Sequence, residues 1–161
     1  MASLLALIED FDAEIERFER DVERELADHP GYHAIQAIPG VGPVFAAIFV
    51  AEIGDVTRFN SPALLCSWAG LIPRHRESGT TLVGSDHQAG LSPRALGGGR
   101  GGERQAGGTK LRADFARITA NHGDTRGARK VARVAVARKI VTLVYYGLRD
   151  GTIRSRAIEA A

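Results

Sequence analysis

The stretch that decides the fold is Ile35-Gln-Ala-Ile-Pro-Gly-Val-Gly-Pro-Val-Phe-Ala-Ala-Ile-Phe-Val-Ala-Glu-Ile-Gly54. An apolar run, the turn Pro39-Gly40-Val41-Gly42 and a second apolar run of small residues fit a helix, a tight turn and a helix over about 43–53. Pro43 suits a first helical position, where its missing amide has no partner to lose, and Gly54 suits the position just past the end. Two readings of this hairpin stay open. In a helix-hairpin-helix, free amides at the start of the second helix grip nucleic-acid phosphate, and Pro39, Gly40 and Gly42 allow the backbone to come close. In an ordinary corner between helices, the same turn also favours glycine.

On the amino-terminal side, Ile8, Phe11, Ile15, Phe18 and Val22 step by three and four residues within 4–26. That spacing places them on one stripe of an amphipathic helix, with Glu and Arg filling the other positions. The helix stops at Asp28-His29-Pro30-Gly31. It is either a short coiled-coil element that joins copies of the chain or a helix packed on its own domain. Its acidity makes partner helices better company than DNA.

On the carboxy-terminal side, Ser61–Leu71 (SPALLCSWAGL) reads as a third helix, capped by Ser61 and with Pro62 first. Leu64, Leu65, Trp68 and Ala69 are its expected buried stripe, and Cys66 is a small core residue. A basic loop, Pro73–Gly79, follows. There a serine, Ser78, stands beside Glu77 and downstream of Arg74, His75 and Arg76. A serine hydroxyl becomes a nucleophile when a neighbour takes its proton, which His75 or Glu77 can do, while the arginines hold a phosphate. Taken alone, a Ser-Gly pair in a loop is usually only a turn.

Two further helices are expected over about 109–120 and 126–148. Arg126, Arg129, Lys130 and Arg133 fall on one face of the last helix. Ile140–Tyr146 is apolar and expected to be buried. The fold class is therefore mainly α: an amino-terminal amphipathic helix (1–29), a helix-hairpin-helix-like core (30–78), a Gly-rich linker (79–108) and carboxy-terminal basic helices (109–161).

Composition agrees with one modest domain, or one domain plus an appendage. The 161 residues are 44% apolar, and Glu52 and Arg138 interrupt the two best candidates for a membrane span. One cysteine excludes a disulfide framework and a cysteine-cluster metal site. No basic segment precedes an apolar run at the amino terminus, so the expected location is cytoplasmic. The net charge of +2 hides a polarised chain. Residues 1–60 carry four basic against twelve acidic side chains, and residues 61–161 carry seventeen against seven. A basic half of that size points to a polyanionic partner, DNA above all, or else to a merely solvated surface.

Three stretches, 38–59 (IPGVGPVFAAIFVAEIGDVTRF), 61–81 (SPALLCSWAGLIPRHRESGTT) and 127–151 (GARKVARVAVARKIVTLVYYGLRDG), together resemble a known family. The chain is similar to the carboxy-terminal domain of insertion-sequence transposases of the IS one-ten family, relatives of the Piv DNA invertase. The run from Ala69 to the Ser78-Gly79 pair carries the resemblance best. It implies a DNA-binding domain acting in transposition and recombination, with Ser78 as nucleophile on DNA phosphodiesters. It further implies homo-oligomers, here through residues 4–26, and in some members a structured guide RNA. Magnesium is implied only for an acidic nuclease-like domain that has no counterpart here. This chain is thus expected to bind no cofactor itself and to be inactive alone. The alternative from another class is a non-catalytic DNA-binding helical module.

The family pattern fails between Gly79 and Gly108, where ten of thirty residues are glycine, so that a helix is disfavoured and a disordered linker expected. Read one nucleotide later, codons for Gly84–Gly90 can spell Gly-Arg-Ile-Thr-Lys-Gln-Gly, as family members have after their Ser-Gly pair. With suitable third bases the same shift can turn Arg94–Gly99 into Ala-Leu-Trp-Ala-Ala-Ala, a good helical segment. A pair of compensating frameshifts, near Val83 and near 102–107, accounts for both.

Overall fold

The computed structural model describes residues 2–71, 77–78, 81–82, 110–123 and 125–153. These are mainly helical, as the sequence leads one to expect. Helix α1 (Ala2–Glu25) is followed by α2 (Pro30–Gln36), α3 (Pro43–Ile53), a 3-10 turn (Val56–Arg58) and α4 (Pro62–Trp68). A two-residue ladder, β1 (Glu77–Ser78) with β2 (Thr81–Leu82), precedes α5 (Lys110–Asn121) and α6 (Arg126–Asp150).

Local chemistry sets the boundaries. The Asp28–Gly31 stop also starts α2: Pro30 takes the first turn and the His29 ring accepts the Tyr32 amide at 3.0 Å. Ser61 caps α4 through the Leu64 amide, and Thr125 caps α6 through the Ala128 amide at 3.1 Å. Gly151, left-handed at φ 66°, closes α6.

Helix α6 is the spine. Val141 and Val144 are fully buried with Ile35 and Ile38 from the hairpin and with Leu65 and Leu71 from around α4. Each such side chain contributes about 1.5–3 kcal/mol by leaving water. Two glycines let α2 press on this spine. A Cβ on Gly31 would stand 2.9 Å from Leu148 Cα, and one on Gly147 would stand 2.7 Å from Ile35 Cγ2. The Tyr145 hydroxyl donates to the Phe59 carbonyl at 3.0 Å and fixes the 3-10 turn to the same helix.

Three details depart from the sequence expectation. Leu64 is half exposed, while Leu65, Ala69 and Cys66 are in the core as expected, Cys66 facing α6 at the Arg138 carbonyl. Tyr146 is exposed at the end of the otherwise buried or half-buried run 140–145. Thr81 and Leu82 are strand-paired within the segment read as a linker. The rest of that glycine-rich segment, including residues 84–102, lies outside the described residues, as do Arg74, His75 and Arg76.

Helix α1 meets the domain only at its end. Leu26 is partly buried against the core, and Phe18, Val22 and Leu26 face Ala47 and Val50 of α3 across a shallow apolar groove. Beyond that groove the stripe is open: Leu4, Ile8, Phe11 and Ile15 are 54–66% exposed, and Phe18 at the groove's rim is exposed as well. Among the described residues no helix is long and apolar enough to cross a membrane.

Candidate nucleic-acid interface

The hairpin turn is built from a buried anchor and open glycines. The Val41 amide donates to the Ile38 carbonyl at 2.9 Å, and the Val41 side chain is buried, which pins the turn to the core. Gly40 adopts φ +88°, the left-handed region that costs any other residue strain. Gly42 is the N-cap of α3 in ordinary extended backbone and offers no side-chain cap. The first helical bond runs from the Ala46 amide to the Gly42 carbonyl at 2.9 Å, so the Val44 and Phe45 amides have no acceptor within the helix. A Cβ on either glycine would meet nothing within 4 Å. Conformation therefore calls for glycine at 40, and nothing within the described fold calls for it at 42. Pro39 is half-buried, while Gly40 and Gly42 face solvent.

A second basic element lies on α6. Arg126, Arg129, Lys130 and Arg133 are all exposed over its first turns, a stripe about 10 Å long at the helical rise. The buried residues of this half, Ala128 and Ala132, turn the opposite way. Lys139 and Arg117 are cations with structural work instead. Both pair with Asp114, Arg117 at 3.1 Å, and so tie α5 to α6. The hydrogen bond from Lys139 and, after it, the pairing with Arg117 hold the Asp114 carboxyl below its ordinary pKa, against the opposing pull of burial.

Ser78 stands opposite Thr81 in the short ladder, and Glu77 stands opposite Leu82. The ladder supplies a backbone setting that a polar loop over 73–79, expected from the sequence, does not contain. The side chains of Ser78 and Glu77, and all of Arg74 and Arg76, lie outside the described residues.

One exposed cation has no signal in the sequence. The Arg58 guanidinium lies over the Phe59 ring at 4.7 Å and the Trp68 ring at 5.2 Å. Arg58 belongs to the acidic half of the chain, and its two aromatic partners meet only because the 3-10 turn folds back on α4. The adjacent Phe59 and Trp68 rings, 5.6 Å apart, make that shelf.

Among the described residues no group of three or more His, Cys, Asp or Glu side chains converges as a metal site.

Known proteins share this geometry's sequence. Residues 32–95, which span the hairpin turn, α4 and Ser78, match the model of the transposase IS116/IS110/IS902 family. The chain is 32% identical over 143 residues to an insertion element IS110 protein of Streptomyces coelicolor, covering 83% of this chain and 33% of that one. It is 42% identical over 80 residues to an insertion element IS116 protein of Streptomyces clavuligerus, covering 47% of this chain and 18% of that one. It is 29% identical over 83 residues to a probable family 20 transposase of Pseudomonas aeruginosa, covering 49% and 25%. The chain thus spans a third or less of the length of these relatives. From the turn through the serine hairpin to most of its own length, it belongs to the IS116/IS110/IS902 family of transposases.

Proposed function

We propose that this chain serves DNA transposition as the part of a transposase that holds DNA backbone and presents Ser78 to a phosphodiester. The observation that carries the reading is the family match over 32–95, which takes in both the open Gly40–Gly42 turn and Ser78. The turn offers the Val44 and Phe45 amides to a phosphate oxygen, and the exposed stripe from Arg126 to Arg133 neutralises neighbouring phosphates. Arg74 and Arg76, upstream of Ser78 in sequence, supply charge for the phosphate under attack. In the chemical step the Ser78 hydroxyl gives its proton to His75 or Glu77 as the Oγ–P bond forms, a bridging P–O bond breaks, and the leaving oxygen takes up a proton.

Magnesium enters this reading only through the acidic nuclease-like domain that the family resemblance implies, not through residues of this chain. A structured guide RNA rests on the family resemblance, and self-association rests on the exposed stripe of α1. The test is Ser78→Ala, made where strand exchange is measurable, with an acidic nuclease-like domain of the family supplied alongside the chain. Strand exchange on a DNA substrate is lost while duplex affinity stays within about twofold, because a hydroxyl contributes little to a charge-dominated interface. Exchange by the Ser78→Ala protein would remove Ser78 from the chemistry.

The alternative, a DNA-binding module without chemistry, is favoured by one feature. The amides and cations suited to the DNA backbone sit in the turn and on α6, and they need neither Ser78 nor a metal. It predicts salt-sensitive binding with no exchange by the unsubstituted chain even when an acidic nuclease-like domain of the family is supplied.

A further inference from the structure

Two arginines lie over paired aromatic rings, and the two stacks are joined. The Arg58 guanidinium covers Phe59 and Trp68. The Arg149 guanidinium covers Tyr145 at 5.4 Å and Tyr146 at 4.9 Å. In this second pair the rings meet edge to face at 5.3 Å. The Tyr145 hydroxyl, bonded to the Phe59 carbonyl, ties one stack to the other. The 3-10 turn, α4 and the last turns of α6 thus assemble one row of four rings under two planar cations.

Phe59 and Tyr145 are buried and belong to the core. Arg58, Tyr146 and Arg149 are exposed, and Trp68 is half-buried. The neighbouring carboxylates leave both guanidinium faces usable. Asp55 gives its oxygens to the Thr57 amide and hydroxyl, at 2.8 and 2.7 Å. Asp150 accepts from Nε and Nη2 of Arg149, at 2.6 and 3.0 Å. Those bonds lie at the edge of the guanidinium, so they fix its plane and leave its outer face open.

Arg149 lies about 24 Å along α6 from Arg133, the end of the basic stripe, at the helical rise. The row is therefore a second surface. A duplex keeps its bases stacked on one another and could offer this row only phosphates. An unpaired strand offers base faces as well, and these stack on aromatic rings and on guanidinium planes.

We infer that this row binds unpaired nucleotides. A base lies on each guanidinium face beside the exposed part of Trp68 or Tyr146, and the flanking phosphates take the remaining guanidinium N–H groups. The row needs neither Ser78 nor the hairpin turn, and it adds an unpaired strand to the ligands of a chain read as a holder of duplex.

Trp68 is the only tryptophan of the chain, so its emission reports on this row directly. The test is titration of the full chain with a short oligothymidine. The strand quenches Trp68, whereas a blunt duplex bound at the α6 stripe leaves the emission unchanged. Arg58→Lys with Arg149→Lys keeps both charges and loses the flat faces. It weakens oligothymidine binding about fivefold or more and leaves duplex binding as it was. Tyr146→Ala, an exposed change, weakens oligothymidine binding in the same way. An abasic strand, with phosphates and no bases, does not quench. Oligouridine separates the sources: quenching by either strand supports the row, and the tighter one shows whether the unpaired strand is DNA or RNA. Trp68 emission unchanged by both strands would overturn the assignment. So would equal quenching by the abasic strand, or parental affinity in the double-lysine protein. Failure of the duplex reading is distinct: quenching by single strands without duplex affinity keeps the row and removes that reading, and duplex binding with a silent Trp68 does the reverse.

Discussion

Gly147 of α6 lies against Ile35 of α2 so closely that a Cβ at 147 would stand 2.7 Å from Ile35 Cγ2. Ile153 stands on the other side, with Cγ1 at 3.2 Å from the same point. The hairpin is thereby seated on the spine through a gap that only hydrogen can occupy. Whatever the turn does on DNA, its position relative to the basic stripe of α6 depends on this seat.

Gly147→Ala should therefore destabilise the fold by about 1–3 kcal/mol, the ordinary cost of forcing a methyl into a packed core. Alanine favours a helix interior over glycine by up to about 1 kcal/mol, so a net loss identifies the close approach as the cause. Urea denaturation followed by circular dichroism measures it. A variant as stable as the parent would mean that α2 sits farther from α6.

Asp114 gives a pH dependence with a definite sign. Its carboxyl is held below the ordinary value by Lys139 first and Arg117 after it, so the folded state favours the ionised form. Its contribution is present above the ordinary carboxylate pKa and is lost as pH falls through the lower folded value. The stability difference between the parent and Asp114→Asn should be steady from neutral down to about pH 5 and shrink below it. A difference that persists unchanged into acid would show that the link between α5 and α6 is not ionic.

How much of the fold and the site is legible in the sequence varies with the range of the interaction. The turn at 39–42, the Pro43 start and the cap at Ser61 follow from residues within four positions of one another, and the sequence announces them; the Thr125 cap of α6 comes with the fold. The start of α2 at Pro30 is hidden, because Asp-His-Pro-Gly reads as a stop and its second role depends on the His29 ring turning onto the Tyr32 amide. The exposure of Leu64 depends on where α6 lies, more than sixty residues later, and no local pattern contains that. The basic stripe of α6 is readable from its spacing. The role of Lys139 is not, since its partner Asp114 is twenty-five residues away on another helix. For Ser78 the sequence supplies the residue and its family pattern, and the strand register opposite Thr81 comes only with the fold.

The two turn glycines should separate stability from binding. Gly40→Ala places a side chain at φ +88° and should cost about 1–2 kcal/mol of stability. Gly42→Ala should leave stability within about 0.5 kcal/mol, since its backbone is ordinary and its surroundings are open. It should nevertheless weaken duplex binding several-fold, because the new methyl stands where a phosphate approaches the Val44 and Phe45 amides. Thermal melts and fluorescence anisotropy on the same preparations distinguish the two. Unchanged binding by Gly42→Ala would take the turn out of the interface.

DNA backbone is held, on this account, through the exposed face of α6 together with the hairpin turn. The most direct test is the salt dependence of duplex binding, compared between the parent and a protein with Arg126, Arg129, Lys130 and Arg133 all changed to alanine. The parent should bind duplexes of unrelated sequence with affinity falling steeply as salt rises. The fourfold variant should bind more weakly on every sequence, with a log–log salt slope smaller by about one for each phosphate that is no longer neutralised. Parent and variant binding with the same affinity and slope, or a parent that binds no duplex at low salt, would contradict it.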